Sequence, residues 1–212
     1  GKGCVIESMK NMLFIMNPKA GRTTLKNSLV DVLEVFCNND YAVRTYLTKS
    51  ADDAERIVQE EGANYDVIVC AGGDGTLGNT VTGYMKSGIK VPLGYIPCGS
   101  TNDFARSMDI PRETVEAAEM IVKAEPFSID IGSLNDKNFV YVAAFGMFSD
   151  TSYATPQNMK NIFGHAAYVL QGIKSLANVP SYKMKVTIDG DEQEGEFIFG
   201  MVSNSISVGG FR

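Results

Sequence analysis

Val67-Ile68-Val69-Cys70-Ala71, running directly into Gly72-Gly73-Asp74-Gly75-Thr76, is the stretch on which the fold turns. Its first part is apolar at every position and opens with three β-branched residues, so it reads as a strand buried on both faces. Strands of that kind belong to parallel sheets covered by helices on either side. The glycines that follow let the backbone turn tightly and aim successive N–H groups into an anion-binding nest. A helix starting there adds its positive N-terminal end, at the strand edge where open α/β sheets bind ligands. A plainer reading is a tight turn in which Asp74 or Thr76 caps the next helix. Five specified residues behind this kind of strand favour phosphate binding. No Gly-Lys-Ser/Thr follows, as a P-loop requires, and the spacing differs from the G-x-G-x-x-G dinucleotide fingerprint.

Outward from this point the pattern alternates between strand and helix. Upstream, Met12–Met16 is a short apolar run that ends in the turn Asn17-Pro18-Lys19-Ala20-Gly21. Leu25, Leu29, Val32, Leu33 and Phe36 recur at helical spacing, Val43–Leu47 reads as a strand, and Ala54, Ile57 and Val58 mark a helix ending near Gly62. Downstream, the spacing predicts a helix over Thr80–Met85 and a strand over Val91–Ile96. Pro97-Cys98-Gly99 leads to another helix, and Val115, Ala118, Ile121 and Val122 complete the series. Such alternation predicts an α/β domain with a parallel sheet. From about Pro126 the rhythm changes to period two. Strands are expected at Ile129–Leu134, Phe139–Phe145, Met184–Ile188 and Gly195–Val202, with one helical insertion around His165–Leu176. The expected organisation is therefore residues 1–126 as the α/β domain and 127–212 as a β-rich, sandwich-like domain.

Composition narrows the function classes. The 212 residues suffice for one or two domains. An apolar fraction of 44% with 21% charged residues excludes a disordered chain. No apolar run approaches the roughly 18 residues of a membrane span. A net charge of −6 argues against nucleic acid as a partner. Cys4, Cys37, Cys70 and Cys98 form no C-x-x-C pair, and no signal peptide opens the chain, so a cytoplasmic location is expected. His165 is the single histidine, which excludes a His-rich zinc site; it reads as an ordinary surface or satisfied residue. The scattered methionines read as core filler. Nothing in the sequence speaks to the oligomeric state.

A second loop stands at the end of the next buried strand: Pro97-Cys98-Gly99-Ser100-Thr101-Asn102-Asp103-Phe104-Ala105-Arg106. Ser100 and Asp103 fit an S-x-x-D capping box, which would make the loop purely structural. Asn17 and Gly21 close the first strand at the same edge, however, and three loops converging on one edge make a site.

These three segments, in this order and spacing, resemble the diacylglycerol kinase catalytic domain, and in particular the soluble bacterial lipid kinases. The likeness continues through Ile129-Asp130-Ile131-Gly132, Ala154-Thr155-Pro156, Gly164–Leu170 and Asn204–Gly210. The resemblance implies ATP-dependent phosphorylation of a lipid hydroxyl, with Mg2+ as cofactor and diacylglycerol or a similar amphiphile as acceptor in an interdomain cleft. Carried over residue by residue, the nucleotide-contacting positions are Asn17, Pro18, Lys19, Ala20 and Gly21; Thr48, six before Ala54; Gly72, Gly73, Asp74, Gly75, Thr76, Leu77, Gly78 and Asn79; and Gly99, Ser100, Thr101, Asn102 and Asp103. Asp74 would help to organise phosphates and metal.

The chain departs from the family pattern at Gly78-Asn79, where Asn and Glu are expected. The family's metal-binding Asp segment and its glutamate general base lie beyond Arg212, so the second domain reads as incomplete and no general base is assigned. The rival within kinases is an NAD kinase, which shares the Gly-Gly-Asp-Gly loop; Asn102-Asp103-Phe104-Ala105-Arg106 argues for the lipid enzyme. The rival from another class is a non-catalytic nucleotide- or lipid-binding protein. Residues 151–188 carry Lys160, Lys174, Lys183 and Lys185, interspersed with Tyr153, Phe163, Tyr168 and Tyr182 and up to Ile188 free of Asp and Glu. That bias suggests peripheral contact with an anionic membrane surface.

Overall fold

The computed structural model describes residues 9–20, 24–134, 137–146 and 181–204. Their contacts separate after Val140, with Tyr141–Asn204 forming a second unit.

In the first unit the apolar runs become strands in a β/α alternation. β1 (Lys10–Met16), α1 (Thr24–Cys37), β2 (Tyr41–Leu47) and α2 (Asp53–Glu61) come first, followed by a 3-10 turn at Gly62–Asn64. Next are β3 (Val67–Gly72), α3 (Asp74–Ser87), β4 (Leu93–Pro97), α4 (Asp103–Ser107) and α5 (Thr114–Lys123). The sheet order is β2-β1-β3-β4, and every neighbouring pair is parallel. A short antiparallel pair, β5 (Gly132–Leu134) with β6 (Lys137–Phe139), follows.

The strand period of two explains why the apolar runs are continuous. Met12, Phe14, Met16, Val69 and Ala71 belong to one core layer, with Leu25, Val32 and Phe36 of α1 and Ala117 and Ala118 of α5. Leu13, Ile15 and Ile68 point the other way, into a layer with Ala54, Ile57 and Val58 of α2. Each fully buried side chain of this size contributes about 1.5–3 kcal/mol. Phe14 and Phe36 meet edge to face, with centroids 5.6 Å apart and planes at 80°. α3 ends in a left-handed Gly88 (φ 67°), whose N–H bonds the carbonyl of Tyr84 at 3.1 Å. Along β4, between α3 and α5, lies an apolar groove of about 700 Å³, with Leu77, Tyr84, Ile121, Phe127 and Val140 among its walls.

The second unit is strand-rich. It contains β7 (Val142–Gly146), β8 (Tyr182–Ile188), β9 (Asp191–Phe197) and β10 (Phe199–Ser203), paired antiparallel as β7 with β10 and β8 with β9. Asp189 and Gly190 have φ of 51° and 94°, the signature of a tight hairpin turn. In the β8–β9 register Lys183 faces Glu196 and Lys185 faces Glu194; Lys185 also pairs with Glu192 at 2.7 Å.

Four details differ from the sequence expectations. α3 begins at Asp74 rather than near Thr80, so most of the glycine-rich segment is helix. Its glycines are poor helix formers, but Leu77, Thr80 and Val81 bury one face and hold the turn. Residues 124–131 are not in a strand, and the expected strand from Ile129 shortens to β5. Phe127 and Ile129 are exposed there and no described strand pairs with them. The expected Phe139–Phe145 strand breaks at Val140–Tyr141, because β6 pairs with β5 whereas β7 pairs with β10. Gly195–Val202 breaks at Ile198 for the same reason, as the chain leaves β8 for β7. The helix expected around His165–Leu176 and most of the lysine-bearing 151–188 segment lie outside the described residues.

Candidate functional site

The strand order turns back between β1 and β3, and a crevice at such a switch point is where open α/β sheets take ligands. The first residue past β1 is Asn17. Its N–H extends the pairing to the Ala71 carbonyl at 3.0 Å, and its Nδ2 donates to Thr76 Oγ1 at 3.0 Å. Asn17 Oδ1 accepts the Lys19 N–H at 3.0 Å, and the Ala20 N–H returns to the Asn17 carbonyl at 3.1 Å. The Asn17–Ala20 turn is thus folded on itself, with Pro18 half-buried and Lys19 exposed, and fastened to the head of α3. Gly21 lies outside the described residues.

At that head, Gly72 closes β3 and Gly73 is the N-cap in an extended conformation, with no side-chain cap on the helix. A Cβ on Gly75 or Gly78 would meet nothing within 4 Å. The α3 N-terminus is therefore bare backbone, suited to an anion by its N–H groups and its dipole. Leu77 faces the core at 2% exposure and its N–H is taken by the Gly73 carbonyl at 3.1 Å, so at this head it has no free donor for a ligand.

Asp74 does something the sequence does not reveal. Its Oδ2 accepts the Asp103 N–H at 3.1 Å and its Oδ1 the Phe104 N–H at 3.2 Å, so it closes the N-terminus of α4. The Thr101 hydroxyl reaches the same carboxylate at 3.5 Å. Burial is the main reason why the Asp74 carboxyl titrates above its ordinary value; the two N–H bonds oppose the shift and the Asp103 charge adds to it. Asp103 is itself buried, at 2% exposure.

The loop between β4 and α4 is equally tied down. Asn102 sits in the left-handed region (φ 53°) as the N-cap of α4, and makes no side-chain cap bond. Instead its Oδ1 accepts the Gly99 N–H at 2.7 Å and its Nδ2 donates to the Gly99 carbonyl at 2.9 Å. The helix start that the Ser100-x-x-Asp103 pattern suggested is thus closed by Asp74, and Ser100 is left exposed. Gly99 packs on Gly73 so closely that a Cβ on Gly99 would lie 2.6 Å from the Gly73 Cα. The Cys98 N–H bonds the Gly72 carbonyl at 2.7 Å, and the Tyr95 hydroxyl donates to the same carbonyl at 3.1 Å.

On the β2 side, Thr48 is buried and its N–H bonds the Met16 carbonyl at 2.9 Å. The chain then turns into α2. Asp53 Oδ2 gathers the N–H groups of Lys49 at 2.6 Å and Ser50 at 3.1 Å. Those main-chain bonds hold the Asp53 carboxyl down at about 2. Asn79 Nδ2 reaches across from α3 to the Ala51 carbonyl at 2.7 Å. Asp53 and Tyr95 are structural members of this edge that sequence reading overlooks. For Asp53 a signal exists, since Ser50-x-x-Asp53 has the capping-box spacing that was assigned to Ser100 and Asp103. Burial disfavours the thiolates of Cys70 and Cys98 and pushes both thiols up to about 12.

The structure thus brings the described parts of the three predicted loops, and Thr48, to one strand edge. Many of the polar side chains expected to touch a ligand bond the neighbouring loop instead. Among the described residues no cluster of three or more His, Cys, Asp or Glu side chains could cage a metal, and no helix is long and apolar enough to cross a membrane.

A parallel α/β sheet with a bare helix N-terminus at its switch point defines the class of protein. The sequence pattern of the diacylglycerol kinase catalytic domain matches residues 11–134, and this chain belongs to that family. It is 36% identical over 206 residues to a diacylglycerol kinase of Bacillus subtilis, covering 96% of this chain and 68% of that protein. Against a diacylglycerol kinase of Staphylococcus aureus it is 34% identical over 207 residues, covering 96% of this chain and 65% of that one. The crystal structure of a diacylglycerol kinase from Bacillus anthracis superposes with a TM-score of 0.76 at 29% identity, over 95% of this chain and 67% of that chain. The chain thus spans about two thirds of the length of these relatives.

Proposed function

We propose that this chain carries the nucleotide-binding part of an ATP-dependent lipid kinase, which transfers the γ-phosphoryl group to a hydroxyl of diacylglycerol or a similar amphiphile. The observation that carries this reading is the uncapped N-terminus of α3, placed at the β1/β3 switch point and fastened there by Asn17. Phosphoryl transfer depends mainly on positioning and charge neutralisation, which preset N–H groups supply. In this reading residues 1–126 are the nucleotide domain, with ATP along Asn17–Gly21, Thr48, Gly72–Asn79 and Gly99–Asp103.

The bare α3 head, with open space above Gly75, suits the ATP phosphates. Mg2+ usually binds through substrate phosphates, waters and only one or two carboxylates. The ion would arrive with the nucleotide, and Asp74 would serve it indirectly by ordering the α4 loop. Contact with an anionic leaflet through residues 151–188, at the cytoplasmic side of a membrane, belongs to the same proposal. Within that segment Lys183 and Lys185 face glutamates across β8–β9, so the weight of the idea falls on Lys160 and Lys174.

The test is phosphate transfer from labelled ATP to diacylglycerol in mixed micelles with Mg2+, run beside NAD as an alternative acceptor. Formation of phosphatidic acid supports the reading. Phosphorylation of NAD instead would replace it with the NAD kinase rival, and ATP binding without turnover would replace it with a binding protein.

A further inference from the structure

Asn79 occupies one of the two positions at which this chain departs from its family's glycine-rich segment, and the structure gives that departure a mechanical meaning. The residue lies on the second turn of α3, and its amide Nδ2 donates to the main-chain carbonyl of Ala51 at 2.7 Å, across 28 residues of sequence. Ala51 belongs to the turn between β2 and α2, which starts at Thr48, is pinned to β1 by the Thr48 N–H on Met16, and is drawn inward by Asp53. Those bonds leave the middle of the turn, around Ala51, to be fixed from outside, and Asn79 fixes it. A carboxylate in the same place has no proton to donate at neutral pH and would set two acceptors against each other. The amide is therefore the chemistry this contact needs.

We propose that Asn79 is a positioning residue of the nucleotide site: it sets the 48–52 turn against α3 as the wall that meets the nucleoside end of the ligand. The inference rests on the nucleotide reading of the site. The sheet order supports the assignment to the nucleoside end. Phosphates belong at the β1/β3 switch point, while the turn after β2 stands one strand further out, so an extended nucleotide reaches it with its ribose or base. One Nδ2 proton of Asn79 is engaged by Ala51, and it is through that bond, not through the second proton or Oδ1, that the residue shapes the site.

The experiment compares the intact wild-type chain with Asn79→Ala, Asn79→Leu and Asn79→Gln, and with Lys86→Ala as a control that loosens the α3–α2 surface pair with Glu55. Hydrogen exchange of the Lys49–Asp52 amides is followed without nucleotide, and the ATP Kd is measured by calorimetry. Loss of one neutral hydrogen bond predicts exchange about three- to tenfold faster at Lys49–Asp52 in the Ala and Leu variants. The ATP Kd rises by a similar factor, Asn79→Gln restores part of both effects, and Lys86→Ala changes neither. Unchanged exchange in Asn79→Ala and Asn79→Leu overturns the proposal whatever happens to affinity, since a weaker Kd alone would mean direct contact with the ligand. Absence of ATP binding by the wild-type chain overturns the nucleotide reading itself and the role built on it, and is told apart because it appears before any substitution.

Discussion

The carboxylate of Asp74 closes the N-terminus of a helix to which it does not belong, accepting the Phe104 N–H at 3.2 Å from the first residue of α3. One side chain therefore fixes the spacing between the glycine-rich turn and the loop that precedes α4. Preorganisation of this kind lets a site meet its ligand without first ordering its own loops.

Asp74→Ala would leave the Asp103 and Phe104 N–H groups without their acceptor in a largely buried place. The expected loss is about 1–3 kcal/mol, read as a lower midpoint in urea unfolding, with a larger loss of ATP affinity than the stability change explains. Asp74→Asn keeps a carbonyl acceptor and should fall between the two. The pH dependence is distinctive. With its folded pKa raised above 3.8, Asp74 contributes stability that is fully present below that value and lost as pH rises through the folded pKa. Asn at this position should remove that component from the stability–pH curve.

Asp53 has the opposite sign. Held down to about 2 by the N–H groups of Lys49 and Ser50, it contributes stability that is present above 3.8 and lost as pH falls from there towards 2. Carboxyl NMR titration should find its midpoint near 2 in the folded protein. Asp53→Ala should free the Lys49 and Ser50 amides to exchange and flatten the acid limb of the stability curve, whereas Asp53→Asn, which keeps a carbonyl acceptor, should flatten that limb with less effect on exchange.

Gly83 is buried on α3 where the helix crosses the start of α2, and a Cβ there would lie 2.4 Å from the Glu55 carbonyl oxygen. Main chain cannot swing aside as a flexible side chain can. Gly83→Ala should cost about 1–3 kcal/mol from overpacking, against the gain in helix propensity expected of alanine at an exposed site. Thermal unfolding of the variant decides which prevails, and the steric cost is expected to win.

Phe14 is fully buried and packs edge to face on Phe36 at 5.6 Å, remote in kind from the polar edge. Phe14→Ala should destabilise the first unit by about 3–5 kcal/mol. The residual folded fraction should keep its ATP Kd, which separates core damage from damage to the site.

What was legible in the sequence followed from side-chain period and turn chemistry. The run Val67–Ala71 announces a strand buried on both faces, and Met12–Met16 repeats the message, so the parallel sheet and its ligand edge follow. The head of α3 was not legible, because Gly75 and Gly78 lower helix propensity and only the burial of Leu77, Thr80 and Val81 reverses the balance. Asn17, Asp74, Asn79 and Asn102 were legible as members of the edge, whereas their partners were not. Bonds such as Asn79 to Ala51 join residues far apart in sequence and leave no periodic trace. The breaks at Val140–Tyr141 and Ile198 were hidden for a related reason: a strand that changes partner keeps its alternating pattern while losing its continuity.

The contact between Gly73 and Gly99 also bears on inheritance. A methyl group on Gly99 would strike the Gly73 main chain, and one on Gly73 would press on Gly99 at 3.3 Å, so a larger residue at either site cannot be relieved by shrinking the other. The two positions behave as a single heritable character split between distant codons. Descent with variation can rework the neighbours on either side, but a side chain at Gly99 displaces main chain, and one at Gly73 fits only if the Gly99 loop gives by a few tenths of an ångström.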